Sequence, residues 1–225
     1  MRSKTFALSL LLLAACGGGG DGATLSGDAE TEFAAIKSTY QQRSFEEASS
    51  ALDGFLTANP EYTLGWILQG NARREMGLSL SAKEAYNKAI ALDPLRFEAY
   101  LGLGVLARRD AAKASREQQA DEVKAQLRAA KKYYERALSI EPYHAETLSS
   151  LAMLLLDLNE EEEALRQAEK AWELTKRDAT IAANLSIAYH RNSMTAKRDE
   201  ARANAERLGY AGLEKLDAQF AASND

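Results

Sequence analysis

The chain predicts an all-α protein assembled from repeated helix pairs, and three observations lead there. First, it is rich in alanine and holds only three prolines in 225 residues. Alanine is the best helix former, and proline costs about 3 kcal/mol inside a helix. Second, Pro60, Pro94 and Pro142 each close a similar phrase, FLTANP, AIALDP and ALSIEP. Proline suits the end of a helix because it cannot continue one and biases the residue before it away from helical geometry. Third, the first two prolines lie 34 residues apart and the next interval is 48, longer by 14. A fixed period of this size marks a stack of two-helix units. The 46% hydrophobic content suffices for a packed core.

Residues 1–15 read as an address. Arg2 and Lys4 give a positive start, residues 6–13 an almost wholly apolar run, and Ala14-Ala15 a small-residue end. The apolar run is shorter than the roughly 20 residues a membrane-spanning helix needs. The only cysteine follows at once, giving Leu13-Ala14-Ala15-Cys16. This resembles the lipobox of bacterial lipoproteins, which implies cleavage before Cys16 and lipidation of its thiol. Two or more acyl chains hold a protein durably where one gives only marginal binding. A stretch of four glycines, residues 17–20, then begins a tether reaching to residue 28. Gly17 stands where an aspartate often retains lipoproteins in the inner membrane, so the resemblance implies the outer membrane, facing the periplasm.

The array is expected over residues 29–222. The unit at 63–96 is the clearest, with Trp66, Gly70, Gly77, Ala82, Tyr86, Ala89 and Pro94 at signature positions 4, 8, 15, 20, 24, 27 and 32. On these residues the chain resembles the tetratricopeptide repeat (TPR) family, which implies a right-handed superhelix of about five units. Small Gly70 and Ala82 let two helices approach, with Trp66 and Tyr86 filling the space between. The unit at 29–62 keeps Ala48, Leu52, Phe55 and Pro60 but has Glu32 at the aromatic position. The third, 97–144, contains Tyr100, Leu103, Gly104, Ala130, Tyr134 and Ala137 around a 14-residue insertion. No Gly or Pro interrupts residues 105–141, so two over-long helices should meet near residues 115–121. The fourth, 145–178, has Lys176 in place of the terminal proline. In the fifth, 179–212, Ala201, Ala205 and Leu208 match the signature if the turn is longer by about three residues. Leu213, Leu216 and Phe220 then form an i, i+3, i+7 stripe on a capping helix at 213–222.

Chemistry is scarce. His144 and His190 lack a nucleophile partner or a metal-ligand spacing, and no glycine-rich loop ends in Gly-Lys-Ser/Thr. One cysteine excludes an internal disulfide and a multi-cysteine zinc site. The acidic run at 160–163 suits a turn and the first turn of a helix. No enzyme, cofactor or metal is predicted, and a net charge of −5 leaves no footprint for nucleic acid. Residues 108–132 stand out, with eight basic side chains against four acidic. They read either as a solvated helical extension or as a docking face for acidic lipid or an acidic partner.

The resemblance implies a concave groove lined from the first helix of each pair. The corresponding positions are Phe33, Lys37 and Tyr40; Ile67, Asn71 and Arg74; Leu101, Val105 and Arg108; then Ser149, Met153 and Leu156; and Ala183, Ile187 and His190. The slots by which chaperone-binding members clamp a terminal carboxylate hold Phe33, Lys37, Leu68, Glu98 and Gly102 here, which do not match. The expectation is a lipid-anchored scaffold of the bacterial cell envelope that recruits a protein partner into its groove. In architecture it resembles pilotin-type lipoproteins of type IV pili and lipoprotein adaptors of cell-wall enzymes. The alternative is an envelope protein that binds a peptide or small ligand.

Overall fold

The computed structural model describes residues 26–222. The signal segment, Cys16 and the glycine stretch lie outside the described residues. Eleven helices and no strand occur among them: α1 (Gly27–Gln41), α2 (Phe45–Ala58), α3 (Thr63–Glu75), α4 (Ser79–Leu92), α5 (Phe97–Arg116), α6 (Ala120–Ile140), α7 (Ala145–Asp157), α8 (Glu161–Leu174), α9 (Ala179–Arg191), α10 (Thr195–Arg207) and α11 (Leu213–Ala222). Each odd helix up to α9 pairs with the even one after it, and each pair stacks on the next.

The connections are uniform. Every turn inside a pair has three residues, and its middle one, Arg43, Gly77, Gln118, Asn159 or Ser193, has φ between 58° and 79°. That left-handed geometry favours glycine, yet only Gly77 supplies one. Every link between pairs has four residues, with Lys176 replacing proline in the last. Asp178 compensates there, its carboxylate capping α9 by accepting from the Thr180 and Ile181 amides at 2.8 and 2.9 Å.

The fifth pair corrects the sequence reading. Its turn has the same three residues as the others, so no extra residues intervene; Arg198 occupies the slot of Ala82 and Arg202 that of Tyr86. Both face the terminal helix. Arg198 lies over the Phe220 ring at 5.3 Å, and Arg202 grips Asp217 with two bonds of 2.9 and 2.7 Å. Ala205, in the slot of Ala89, and Ala201, one position before that of Tyr86, are the buried residues of α10. An arginine is tolerated in these slots because α11 supplies both a ring and a carboxylate.

The insertion does form two long helices meeting at residues 117–119. Helix α5 has 20 residues against 13 in α3 and α7, and α6 has 21 against 14 in α4 and α8. Each gains seven residues, which is about 10 Å of rise, so this hairpin overtops its neighbours. Ala111 and Ala114 are buried in the added part, and Leu127 is buried where it joins the ordinary part of α6.

The core of the central pairs is a ring-into-gap device. A Cβ added at Gly70 or Gly102 would come within 2.6 or 2.4 Å of Tyr86 ring carbons, and one at Gly104 within 2.5 Å of Tyr134. The two glycines therefore let α3 and α5 close on opposite sides of one fully buried ring. Trp66, expected between the two helices of its own unit, also packs against the first pair; its indole N–H donates to the Pro60 carbonyl at 2.8 Å.

Candidate partner-binding groove

The residues expected in the groove divide into three groups. Ile67 and Leu101 are 6% and 8% exposed and belong to the inter-helix core, as do the neighbouring slots Ser149, Leu156 and Ala183. Phe33 is drawn into an N-terminal aromatic cluster, 4.9 Å from the Tyr62 ring and 5.5 Å from Phe55. It replaces the aromatic that Glu32 fails to provide. Ile187 packs between the core of the third and fourth pairs and that of the capping helix, while His190 meets Phe220 at 4.7 Å. Burial, with Arg198 and Arg191 nearby, pushes the His190 pKa below its usual value. The capping helix thus covers the last unit's share of the groove.

What stays accessible is a central strip. Lys37 is exposed, and Tyr40, Asn71, Arg74, Val105, Arg108 and Met153 are partly exposed. Here the buried tyrosines surface. The Tyr86 hydroxyl donates to Asn71 Oδ1 at 2.7 Å, and the Arg74 guanidinium lies beside the Tyr86 and Tyr40 hydroxyls, favouring their ionised forms. Burial pushes the Tyr86 pKa up to about 12 against the opposing pull of Arg74. Tyr134 is raised further by burial, with Arg108 and Arg74 within electrostatic reach. Arg74 also pairs with Glu75 at 3.0 Å, yet its Nε is buried without a hydrogen-bond partner among the described residues.

Sequence reasoning missed what the long hairpin does to this strip. Its groove side and α7 enclose a cavity of about 640 Å³ with Val105, Ala111, Ala112, Val123, Leu127 and Tyr134 as apolar lining. Arg108, Arg109, Ser115, Ser150 and Asp157 contribute its polar lining. Arg108 is held by Asp157 at 2.5 Å across to the next pair, and Arg109 donates to the Arg74 carbonyl at 2.6 Å. Only the seven-residue lengthening of each helix, read against the groove register, could have signalled it.

The acidic run fits its expected place at the start of α8 and also links neighbours. Glu160 accepts from Lys131 at 2.9 Å and Glu161 from Arg191 at 2.6 Å, which holds the Glu161 carboxyl below its ordinary pKa. His144 is an N-cap, accepting from the Thr147 amide at 3.3 Å. No cluster of His, Cys, Asp and Glu among the described residues could hold a metal ion, and no described helix is long and apolar enough to cross a membrane.

The family model of the tetratricopeptide repeat matches residues 65–94 and 124–144. Among solved structures, a thermophilic TPR protein of Thermus thermophilus aligns with TM-score 0.73 at 18% identity, over 86% of this chain and 97% of its own. YrrB, a TPR protein with an unusual peptide-binding site, aligns with TM-score 0.54 at 18% identity over 85% of this chain and 92% of that one. Pseudomonas aeruginosa pilF aligns with TM-score 0.64 at 15% identity over 87% of both chains. No curated protein matches the chain in sequence. The chain carries TPR repeats, and its fold is the expected all-α superhelix with a capping helix. That fold suggests protein–protein interaction or peptide binding, and TPR proteins are generally non-enzymatic scaffolds.

Proposed function

We propose that this protein is a lipid-anchored TPR scaffold that recruits a protein partner in the bacterial cell envelope through its concave strip. The observation that carries the partner-binding reading is the in-register row of partly exposed side chains from successive first helices, Tyr40, Asn71, Arg74, Val105, Arg108 and Met153. A curved surface of this kind, built from elements that each touch only their neighbours, suits an extended segment or a helix of another protein. The anchor rests on the Leu13-Ala14-Ala15-Cys16 pattern. Assembly of a pilus or secretion machine is the pathway reading we favour; the shared fold with Pseudomonas aeruginosa pilF supports it at the level of architecture.

Two measurements test this. Metabolic labelling with a fatty acid should mark the wild-type chain and fail with Cys16→Ser, whose protein leaves the membrane fraction; equal labelling of both would remove the anchor. Crosslinking in native membranes should capture a defined protein that Lys37→Glu combined with Met153→Asp loses while circular dichroism keeps its helical signal. An unchanged crosslinked set would sink the groove reading. Ile67 and Leu101 are unsuited to this test, since their burial makes them probes of folding. The second reading, a peptide- or small-ligand-binding envelope protein, is favoured by the 640 Å³ cavity, which falls in the size range of ligand pockets.

A further inference from the structure

The groove of a regular array is a shallow strip, and in this chain one pair departs from it. Seven extra residues on each of α5 and α6 raise a wall beside the strip and turn its middle into a pocket with an apolar lining. Three guanidinium groups gather there. Arg108 and Arg109 line the pocket, and Arg109 reaches the carbonyl of Arg74, whose own side chain lies by the Tyr40 and Tyr86 hydroxyls. Asp157 neutralises Arg108 and Glu75 faces Arg74. Arg109 is exposed and has no carboxylate partner among the described residues. Residues 108–132 carry eight bases and four acids, whereas the whole chain has 28 bases and 33 acids. Two of those eight bases, Arg108 and Arg109, line the pocket.

From this we propose that the elongated hairpin is a selective reading site for an acidic protein segment, which places one bulky apolar side chain in the pocket and a flanking carboxylate on Arg109. This rests on the partner-binding reading of the concave strip and names the chemistry of the partner. A planar guanidinium suits bidentate carboxylate recognition, and the apolar lining gains by removing an aliphatic or aromatic side chain from water. An anionic membrane surface fits the arrangement less well. The hairpin's outer end carries Glu117, Asp121 and Glu122 beside its bases, and Arg109 sits within the concave strip.

The test uses the full chain in detergent, panned against a display library of short random peptides. Enriched sequences should carry Asp or Glu beside a Leu, Ile or Phe. One of them, fluorescently labelled, should bind at least about tenfold more weakly to Arg109→Glu, the effect of losing one charged hydrogen bond, and more weakly as salt rises. Replacing its acids with Lys should restore part of the affinity for Arg109→Glu. Ala112→Trp fills the pocket from an exposed position and should weaken binding at unchanged helicity. Enriched peptides lacking acids, or indifferent to both substitutions, overturn the proposal. If those indifferent peptides respond to Lys37→Glu, the strip still binds partners and only the hairpin's role falls; if no peptide enriches, both readings fall. Displacement of the peptide by phosphatidylglycerol micelles, but not by phosphatidylcholine ones, would reassign the site to lipid headgroups and overturn it too.

Discussion

The second and fourth pairs solve one packing problem in two ways. Each must fill the space between its two helices at the same pair of slots. The second uses Gly70 opposite Tyr86, and the third repeats this with Gly104 opposite Tyr134. The fourth uses Ala152 opposite Ala168, both buried, and takes its bulk from Leu148, Leu151, Leu154 and Leu155 along α7. A ring against a glycine crosses the pair and brings a hydroxyl to the concave face, as Tyr86 does at Asn71. Alanine against alanine closes the pair and brings nothing across. The accessible polar strip therefore lies over the central pairs, and the C-terminal end is packing capped by α11.

The comparison can be broken in three places. Tyr86→Ala removes one of the two largest fully buried side chains and should cost about 3–5 kcal/mol in denaturant unfolding. Tryptophan emission should then distinguish the halves, because Trp66 packs beside the Tyr86 core and Trp172 in the C-terminal clusters. An early Trp66 transition, resolved with each tryptophan singly replaced by Phe, shows that the halves differ in coupling; coincident transitions show one cooperative unit. Alkali is the second probe. The Tyr86 pKa is raised in the folded chain from 10 to about 12, so the stability it confers is whole below pH 10 and lost as pH climbs through 12. By linkage this amounts to about 2–3 kcal/mol; Tyr86→Phe should flatten the decline, measured by melting temperature against pH. The mildest probe is Gly102→Ala. Overpacking costs about 1–3 kcal/mol, which outweighs the roughly 1 kcal/mol gained in helix propensity. A melting temperature that rises for Gly102→Ala would show that the Tyr86 ring has room to shift.

Much of this was legible in advance. The proline spacing and the Gly70, Ala82 and Tyr86 signature placed four pairs and both long helices, because periodic small and large residues encode contacts local to one unit. The fifth pair was misread because Ala201, Ala205 and Leu208 mimic the signature three residues out of phase, and the true register shows only once Phe220 and Asp217 meet Arg198 and Arg202. Phe33 and Ile187 illustrate the other limit: a groove slot is fixed by position in its own helix, but its exposure depends on what packs beyond the array's ends. The central cavity was invisible for a related reason, since it exists only between one helix's excess length and its neighbour's ordinary length.

That excess length comes in a particular quantum. Seven residues turn a helix through almost two full revolutions, about 20° short of closure, so Leu127 in α6 falls on the inward face much as it would without the addition. Omitting residues 110–116 and 120–126 would leave helices of 13 and 14 residues around the same Gln118 turn, the dimensions of the ordinary pairs. An insertion of two or five residues per helix would instead rotate the hairpin tip by about 140–160° and expose its alanines. Natural variation in this loop is therefore expected to be stepped, tall or short by near-whole numbers of helical turns, and the depth of the groove can change between relatives while the stacking of every other helix stays the same.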